Sequence, residues 1–284
     1  MKRYLLCTDL DRTLIPNGTQ PESPLAMQRF RRLAGREEVT LAYVSGRHRA
    51  LIEQAIAEYD LPQPDFAIAD VGATIYRIGL SGWRQWDEWD AQIAPDWNGL
   101  THSELYRSLS VFPALRLQEH EKQNRHKLSF YVPLETDVRE LLGEMEARLK
   151  QAGIRANLIW SVDEAAAVGL LDVLPASANK LHAIAFLMRQ QGYGHENTVF
   201  AGDSGNDLDV LKSGIQAVLV ANADAETKRL ASGGAGRVYI AKGGYLGMNG
   251  NYSAGVLEGF AHYLPEADAW LRESNITPNI TRDC

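Results

Sequence analysis

The chain has 284 residues, 45% hydrophobic and 23% charged, with 29 basic against 36 acidic residues for a formal charge of −7. That length suffices for one or two packed domains, and the composition excludes disorder, collagen and coiled coil as overall descriptions. The acidic balance excludes nucleic-acid binding through a broad basic face but leaves room for a small anionic substrate held at a local positive site. No run approaches the roughly 18 apolar residues of a membrane span. The apolar stretch after the basic N-terminus, Tyr4-Leu5-Leu6-Cys7, is too short for a signal-peptide core, so a cytoplasmic protein without membrane contact is expected.

In chain order, 3–8 is an apolar run of strand length, and 22–33 repeats apolar residues at helical spacing (Leu25, Met27, Phe30, Leu33). The run 39–44 reads as a second strand, followed by Gly46, and 48–59 as a helix with Leu51, Ile52, Ala55 and Ile56 on one side. Residues 66–69 and 74–78 read as short strands around Gly72. Alternation of this kind predicts a parallel sheet with helices on its faces. The pattern changes after about residue 80. There 115–117 and 127–132 read as strands joined by a polar stretch, 136–151 as an amphipathic helix, and 156–162 and 169–174 as two further strands. Alternation then returns, with a helix to Gln191 that Ser177 could cap, strands at 198–201, 216–220 and 238–240, and helices at 207–212, 225–230 and 254–263.

The expected fold is α/β: a doubly wound, Rossmann-like parallel-sheet core made of 1–80 and 170–284, interrupted by an inserted α+β unit at 81–169. Four of the six tryptophans (Trp83, Trp86, Trp89, Trp97) fall in the insert, where their rings either pack an interior or stack on a ligand; packing is the commoner use.

Asp9-Leu10-Asp11-Arg12-Thr13 follows the first strand, at the sheet edge where open α/β proteins bind ligands. Two carboxylates one residue apart can divide nucleophilic attack and proton transfer between them; a plain turn rich in aspartate is the alternative. A second acidic group, Asp203-Ser-Gly-Asn206-Asp207, follows another strand and opens a helix. Gathered at one edge, four carboxylates repel one another unless a divalent cation sits among them, and hard oxygen ligands suit Mg²⁺. Ser45-Gly46-Arg47 follows the second strand and offers a hydroxyl and backbone N–H groups to a phosphate. Lys180 falls in the first turn of a helix, where its charge opposes the macrodipole, so its place there needs another reason; contact with phosphoryl and carboxylate groups supplies one.

These four segments, in this order and spacing, resemble the four motifs of the haloacid dehalogenase (HAD) superfamily, and the insert resembles the α/β cap of its Cof-type branch. Within that branch the chain resembles bacterial sucrose-phosphate phosphatases over roughly residues 3–264, through Asp70-Val-Gly-Ala-Thr-Ile-Tyr76, Arg125-His-Lys-Leu-Ser-Phe-Tyr131, Asp172-Val-Leu-Pro175 and Ala254-Gly-Val-Leu-Glu-Gly259. It departs from the family at position 45, which is Ser where Thr is frequent.

The resemblance implies a Mg²⁺-dependent phosphatase for a sugar phosphate. Sucrose 6-phosphate comes first, with mannosylfructose phosphate or another sugar phosphate as the variant. A phosphomutase, or a non-catalytic module that binds a sugar phosphate or a sucrose-phosphate synthase partner, are the competing readings. Asp9 is implied to be the nucleophile that forms an aspartyl-phosphate. Asp11 is implied to be the acid and then the base, a role that calls for a raised pKa. Lys180 is implied to offset charge repulsion during catalysis, with Leu10, Ser45, Gly46 and Asn206 on the phosphoryl oxygens. Asp9, Asp11 and Asp203 are implied to surround the metal, with Asp207 at one remove. Gln118, Arg125, His126 and Lys127, in the hairpin of the insert, are expected to read the sugar hydroxyls.

Overall fold

The computed structural model describes residues 2–164, 166–232 and 238–273. Its first half runs β1 (Tyr4–Thr8), α1 (Ala26–Ala34), β2 (Val39–Val44), α2 (Arg49–Glu58), β3 (Phe66–Ala69), β4 (Thr74–Gly79), β5 (Gly82–Gln85), α3 (Asp87–Ile93), α4 (His102–Leu109), β6 (Arg116–Leu117), β7 (Leu128–Val132) and α5 (Val138–Gln151). Its second half runs β8 (Ala156–Asp163), β9 (Val168–Pro175), α6 (Lys180–Gln191), β10 (Thr198–Gly202), α7 (Leu208–Leu211), β11 (Gln216–Leu219), α8 (Ala225–Ser232), β12 (Val238–Ile240), α9 (Ser253–Tyr263) and α10 (Pro265–Glu273).

Among the described residues, eight strands form one sheet in the order β12-β11-β10-β1-β2-β3-β4-β5, and four form a second in the order β6-β7-β9-β8. Neighbours from β12 to β3 are parallel, and β4 and β5 extend that sheet as an antiparallel hairpin. The first two strands are buried at every position, and apolar at all but Thr8 and Thr40, because both faces of the sheet are covered. Tyr4 and Leu6 of β1, with Leu41 and Tyr43 of β2, enter the core beneath α1, α9 and α10. Leu5 and Cys7, with Ala42 and Val44, enter the opposite core beneath α3, α6 and α7. This two-fold alternation fixes the register, and with it which residues emerge together at the carboxyl ends.

The smaller sheet is antiparallel throughout and has its own interior. In α5, Asp137 caps the N-terminus by accepting from the Arg139 and Glu140 amides, and Leu141, Met145 and Leu149 at intervals of four make one buried stripe. That stripe packs on Leu128, Phe130 and Val132 of β7 and on Leu171 and Val173 of β9.

The packing draws the two units differently from a boundary at 81–169. Pairing of β5 with β4 places 82–85 in the larger sheet. Trp86 stacks on Phe66 and meets Phe186 edge-on, Trp89 packs on Phe186, and both lie in the larger unit's core with Ile93. The smaller unit's interior starts at Trp97, and its sheet ends at Pro175. Aromatic packing on Phe66 and Phe186, neither of them a close sequence neighbour, decides where Trp86 and Trp89 belong, which local periodicity does not register. At the start of α6 the cap is Asn179, whose side chain accepts from the His182 amide; Ser177 instead donates its backbone N–H to Asp96. Residues beyond Pro265 form α10 as far as Glu273.

Candidate active site

Parallel pairing of β1 with both β10 and β2 brings three loops out side by side. Thr8 is level with Ala201 and with Tyr43, and the Asp9 amide continues the ladder by donating to the Ala201 carbonyl at 2.9 Å. Asp9, Asp203 and Ser45 therefore emerge on one edge, all buried. Gly202 allows the acidic loop to close on itself: an added Cβ would sit 2.6 Å from Cγ of Asp207, and closer still to its Oδ2. That proximity lets Oδ2 of Asp207 accept from the amides of Asp203 (3.1 Å) and Ser204 (3.3 Å). Gly72, at φ +102°, lets the turn after β3 press on the start of α6, where an added Cβ would lie 2.9 Å from the Asn179 Cα.

The first residue of α6 is Lys180, and it projects into this cluster. Its Nζ lies 2.7 Å from Oδ1 of Asp207 and 3.2 Å from Oδ1 of Asp9. Burial works against the ammonium, but the two carboxylates outweigh it and hold the pKa above the usual lysine value. Asp9 is pushed upward, by burial first and then by Asp207 and Asp203, against the pull of Lys180. Asp203 is pushed up to about 6 by burial and by Asp207, although Arg12, Thr13 and Lys180 act the other way. Thr13 Oγ1 donates to Asp203 Oδ1 at 3.2 Å, and Arg12 Nε lies 3.5 Å from Oδ2. Asp9, Asp203 and Asp207 each present a carboxylate oxygen within 4.8 Å of the others. Hard oxygen donors, buried and mutually repelling, fit a Mg²⁺-sized divalent cation.

Asp11 corrects an expectation. Its Oδ2 accepts from Nε of Arg47 at 2.8 Å, and its Oδ1 from Nη2 of Arg47 and from Asn17 Nδ2, both at 2.6 Å. Burial raises its pKa, but the hydrogen bonds and charge of Arg47, with Asn17 and Lys180, outweigh burial and hold the carboxyl below the ordinary range. The raised pKa expected for an acid is therefore absent in this arrangement. The same arginine donates its backbone N–H to Ser45 Oγ at 3.1 Å, so Ser45, Arg47 and Asp11 form one connected group. The Leu10 amide faces the Asp9 carboxylate and lowers its pKa.

A cavity of about 850 Å³ opens between this edge and the smaller unit. Gly46, Arg47, Lys180 and Asn206 line it on one side, and Gln118, Lys127, Asn157, Trp160, Ser161 and Asp172 on the other. The hairpin residues expected to read a sugar divide. Gln118 reaches the wall, but its side-chain amide donates to the Phe130 carbonyl at 2.8 Å. Lys127 reaches the wall with its Nζ 3.5 Å from both Asp70 Oδ1 and Asp172 Oδ2. Arg125 and His126 do not line it. They sit in a turn closed by the Asn124–Lys127 bridge and face Asp90, at 3.9 and 3.7 Å. Nor do the four tryptophans of 83–97 line the cavity: Trp86, Trp89 and Trp97 are fully buried, and Trp83 meets Tyr76 edge-on.

Sequence reasoning missed Asn157, Trp160 and Ser161 on β8, the Arg47 grip on Asp11, and the carboxylates either side of Lys127. Asp70 and Asp172 stood in the family-like stretches, which was the available signal; β8 offered only a strand-like run.

Fold and site together define a phosphoric monoester hydrolase of the HAD superfamily. The sequence profile of the family described as sucrose-6F-phosphate phosphohydrolase matches residues 2–264, and the chain belongs to that family. A protein of Nitrosococcus oceani, described no further than as a HAD-like hydrolase, is 53% identical over 100% of this chain and 78% of its own length. Sucrose-phosphatase 1 of Nicotiana tabacum is 31% identical over 79% of this chain, and the match spans 51% of the tobacco protein. The crystal structure of the sucrose-phosphatase of Synechocystis sp. PCC6803, in complex with sucrose and phosphate, shares the fold with a TM-score of 0.69 at 24% identity, covering 93% of this chain and 98% of that one. Among the described residues no helix is long and apolar enough to cross a membrane.

Proposed function

We propose that the chain hydrolyses sucrose 6-phosphate to sucrose and phosphate. The observation that carries this is the buried Asp9–Lys180–Asp207 cluster, in a chain of this family, at the rim of a cavity of about 850 Å³. That volume lies within the range of about 300–1,000 Å³ typical of ligand pockets and accommodates a two-ring sugar.

In this reading Asp9 attacks phosphorus in line and the sugar oxygen leaves, giving an aspartyl-phosphate on Asp9. Asp11 gives a proton to the departing oxygen and later takes one from the water that cleaves the intermediate, so no proton is gained or lost over the cycle. The base form of Asp11 is the one its Arg47 pairing favours. For the acid step Arg47 has to loosen its hold, and the incoming phosphate dianion competes for the same guanidinium, which lines the cavity. Lys180 lowers the repulsion between carboxylate and phosphate. The Leu10 amide, Ser45, Gly46 and Asn206 hold the phosphoryl oxygens.

The Asp9 and Asp203 carboxylates and the Asp11 carbonyl would hold Mg²⁺, which supplies charge neutralisation at the phosphoryl group when bound. Both oxygens of Asp207 are engaged, one by Lys180 and one by backbone amides, which suits it to hold the lysine and the loop. The smaller unit acts as the cap that selects the sugar, with Lys127 and Gln118 retained as candidates and Arg125 and His126 withdrawn. We place the enzyme in the cytoplasm, with a sucrose-phosphate synthase as its proposed partner.

Phosphate release from a panel of esters with Mg²⁺ tests the reading. Sucrose 6-phosphate is expected to exceed glucose 6-phosphate and fructose 6-phosphate at least about tenfold in kcat/KM. Equal rates on the monosaccharide phosphates would overturn the sucrose assignment, and faster turnover of mannosylfructose phosphate would transfer it. Phosphoryl transfer to a second sugar without phosphate release would point to a mutase. No turnover of any ester would leave a binding module.

A further inference from the structure

The loop carrying Asp9 and Asp11 is secured by a residue more than two hundred positions away. Arg12 is left-handed, at φ 58°. A side-chain-bearing residue keeps that conformation only where its surroundings hold it. Its neighbours need the turn: Arg12 Nε and Thr13 Oγ1 meet the two oxygens of Asp203, and the Arg12 amide donates to Asn17 Oδ1 at 2.7 Å.

Asn222 lies just beyond β11 and is only 5% exposed. Its Nδ2 donates to the Arg12 carbonyl at 2.6 Å, and its Oδ1 accepts from the Tyr252 amide at 2.9 Å. A carbonyl can only accept and an amide N–H can only donate. A side chain with one donor and one acceptor satisfies both, whereas a carboxylate or an aliphatic group leaves at least one unmet. Tyr252 is also at positive φ, 50°, so this one side chain joins two strained backbone positions. The Tyr252 end is fixed in turn: buried Glu258 accepts from the Lys242 and Gly243 amides and from Tyr239 Oη, while Asn249 and Asn251 donate to the Pro21 carbonyl.

We propose that Asn222 is a positioning residue for phosphoryl transfer: its amide locks the Arg12 carbonyl, and through it the backbone that presents Asp11 and the Arg12–Thr13 grip on Asp203. It touches no reacting atom. The proposal rests on the phosphatase reading above.

Asn222→Asp is nearly isosteric and sets an oxygen against the Arg12 carbonyl. Its kcat on p-nitrophenyl phosphate and sucrose 6-phosphate is expected to fall 10- to 100-fold, the cost of small misplacements at a reacting centre, with KM within about threefold. Mg²⁺ binding to the folded variant, measured by calorimetry independently of turnover, is expected to weaken. Asn249→Ala loosens the same brace at Pro21 without touching Arg12, and keeps kcat and Mg²⁺ affinity within about twofold of wild type. A merely structural Asn222 would lower the melting temperature and leave both quantities at wild-type values in the folded protein, and that result overturns the proposal. Should Asn222→Asp not fold, Asn222→Ala removes the clamp without the repulsion and is held to the same outcomes. A wild-type protein that binds Mg²⁺ yet cleaves neither ester sinks the phosphatase reading, and calorimetry on the variants then decides the clamp alone.

Discussion

Asp11 and Arg47 meet through both oxygens of one and both Nε and Nη2 of the other, at 2.8 and 2.6 Å. The pair joins the loop after β1 to the loop after β2, and it sets the charge of the proposed proton carrier. Arg47→Ala removes the largest stabilisation of the Asp11 carboxylate and leaves burial, which raises its pKa. The acidic limb of the kcat profile on p-nitrophenyl phosphate, set by Asp11 as the base that activates water against the aspartyl-phosphate, is expected to move to higher pH, with kcat reduced about 10- to 100-fold. An acidic limb at the wild-type position would remove Asp11 from that limb. The pair itself stabilises the fold only weakly, because the Asp11 side chain is 41% exposed. Its depressed pKa contributes stability above the unfolded value near 4, lost as pH falls through the folded pKa, and worth no more than about 1 kcal/mol.

The acidic cluster has the opposite sign. Asp9 and Asp203 both have raised pKa values, Asp203 to about 6. A carboxyl raised on folding binds its proton more tightly in the native state, so its contribution is fully present below the unfolded value near 4 and is lost as pH rises through the folded value. Lys180, raised in its turn, keeps its contribution across this window and loses it only above the lysine range. In chelator, the melting temperature is expected to fall between about pH 4 and 7 through these two groups, Asp203 first and then Asp9. Mg²⁺ should restore it, by more at pH 7.5 than at pH 5. A Mg²⁺ shift of the same size at both values would separate the cation from this cluster, and full activity in excess chelator would exclude a required metal.

Asp9→Asn tests the nucleophile. The amide is nearly the same size, keeps a contact for Lys180 and removes one of three mutually repelling charges, so the fold should survive. Phosphate release is expected to drop by at least about 10³-fold with the circular dichroism spectrum unchanged. Turnover within tenfold of wild type would assign the attack elsewhere.

How much of this was legible in sequence follows from what each feature depends on. Asp9, Ser45, Lys180 and Asp203 were readable because each follows an apolar run or opens a helix, and parallel alternation brings strand ends to one edge whatever the side-chain detail. The fate of Trp86 and Trp89 was not readable, since it turns on Phe66 and Phe186, which no local period connects to them. Arg125 and His126 were misplaced because composition marks a polar hairpin but not which way a four-residue turn faces. The lowered pKa of Asp11 escaped for a related reason: the raised value followed from its implied role as an acid, whereas the two-pronged contact with Arg47 belongs to the folded loop.

Gly202 offers a test of that loop without touching a charged group. The last residue of β10 is glycine because the Asp207 carboxylate lies directly against its Cα, leaving no room for a methyl group. Gly202→Ala must push Asp207 away, and Asp207 is what fastens Lys180 at 2.7 Å and caps the amides of Asp203 and Ser204. Overpacking of this kind costs about 1–3 kcal/mol. Because the displaced group holds the lysine, kcat should fall with stability, by about tenfold or more, while KM for sucrose 6-phosphate changes little, the cavity wall being intact. Paired melting curves and steady-state kinetics check this. A destabilised variant with wild-type kcat would show that Lys180 keeps its place through Asp9 alone.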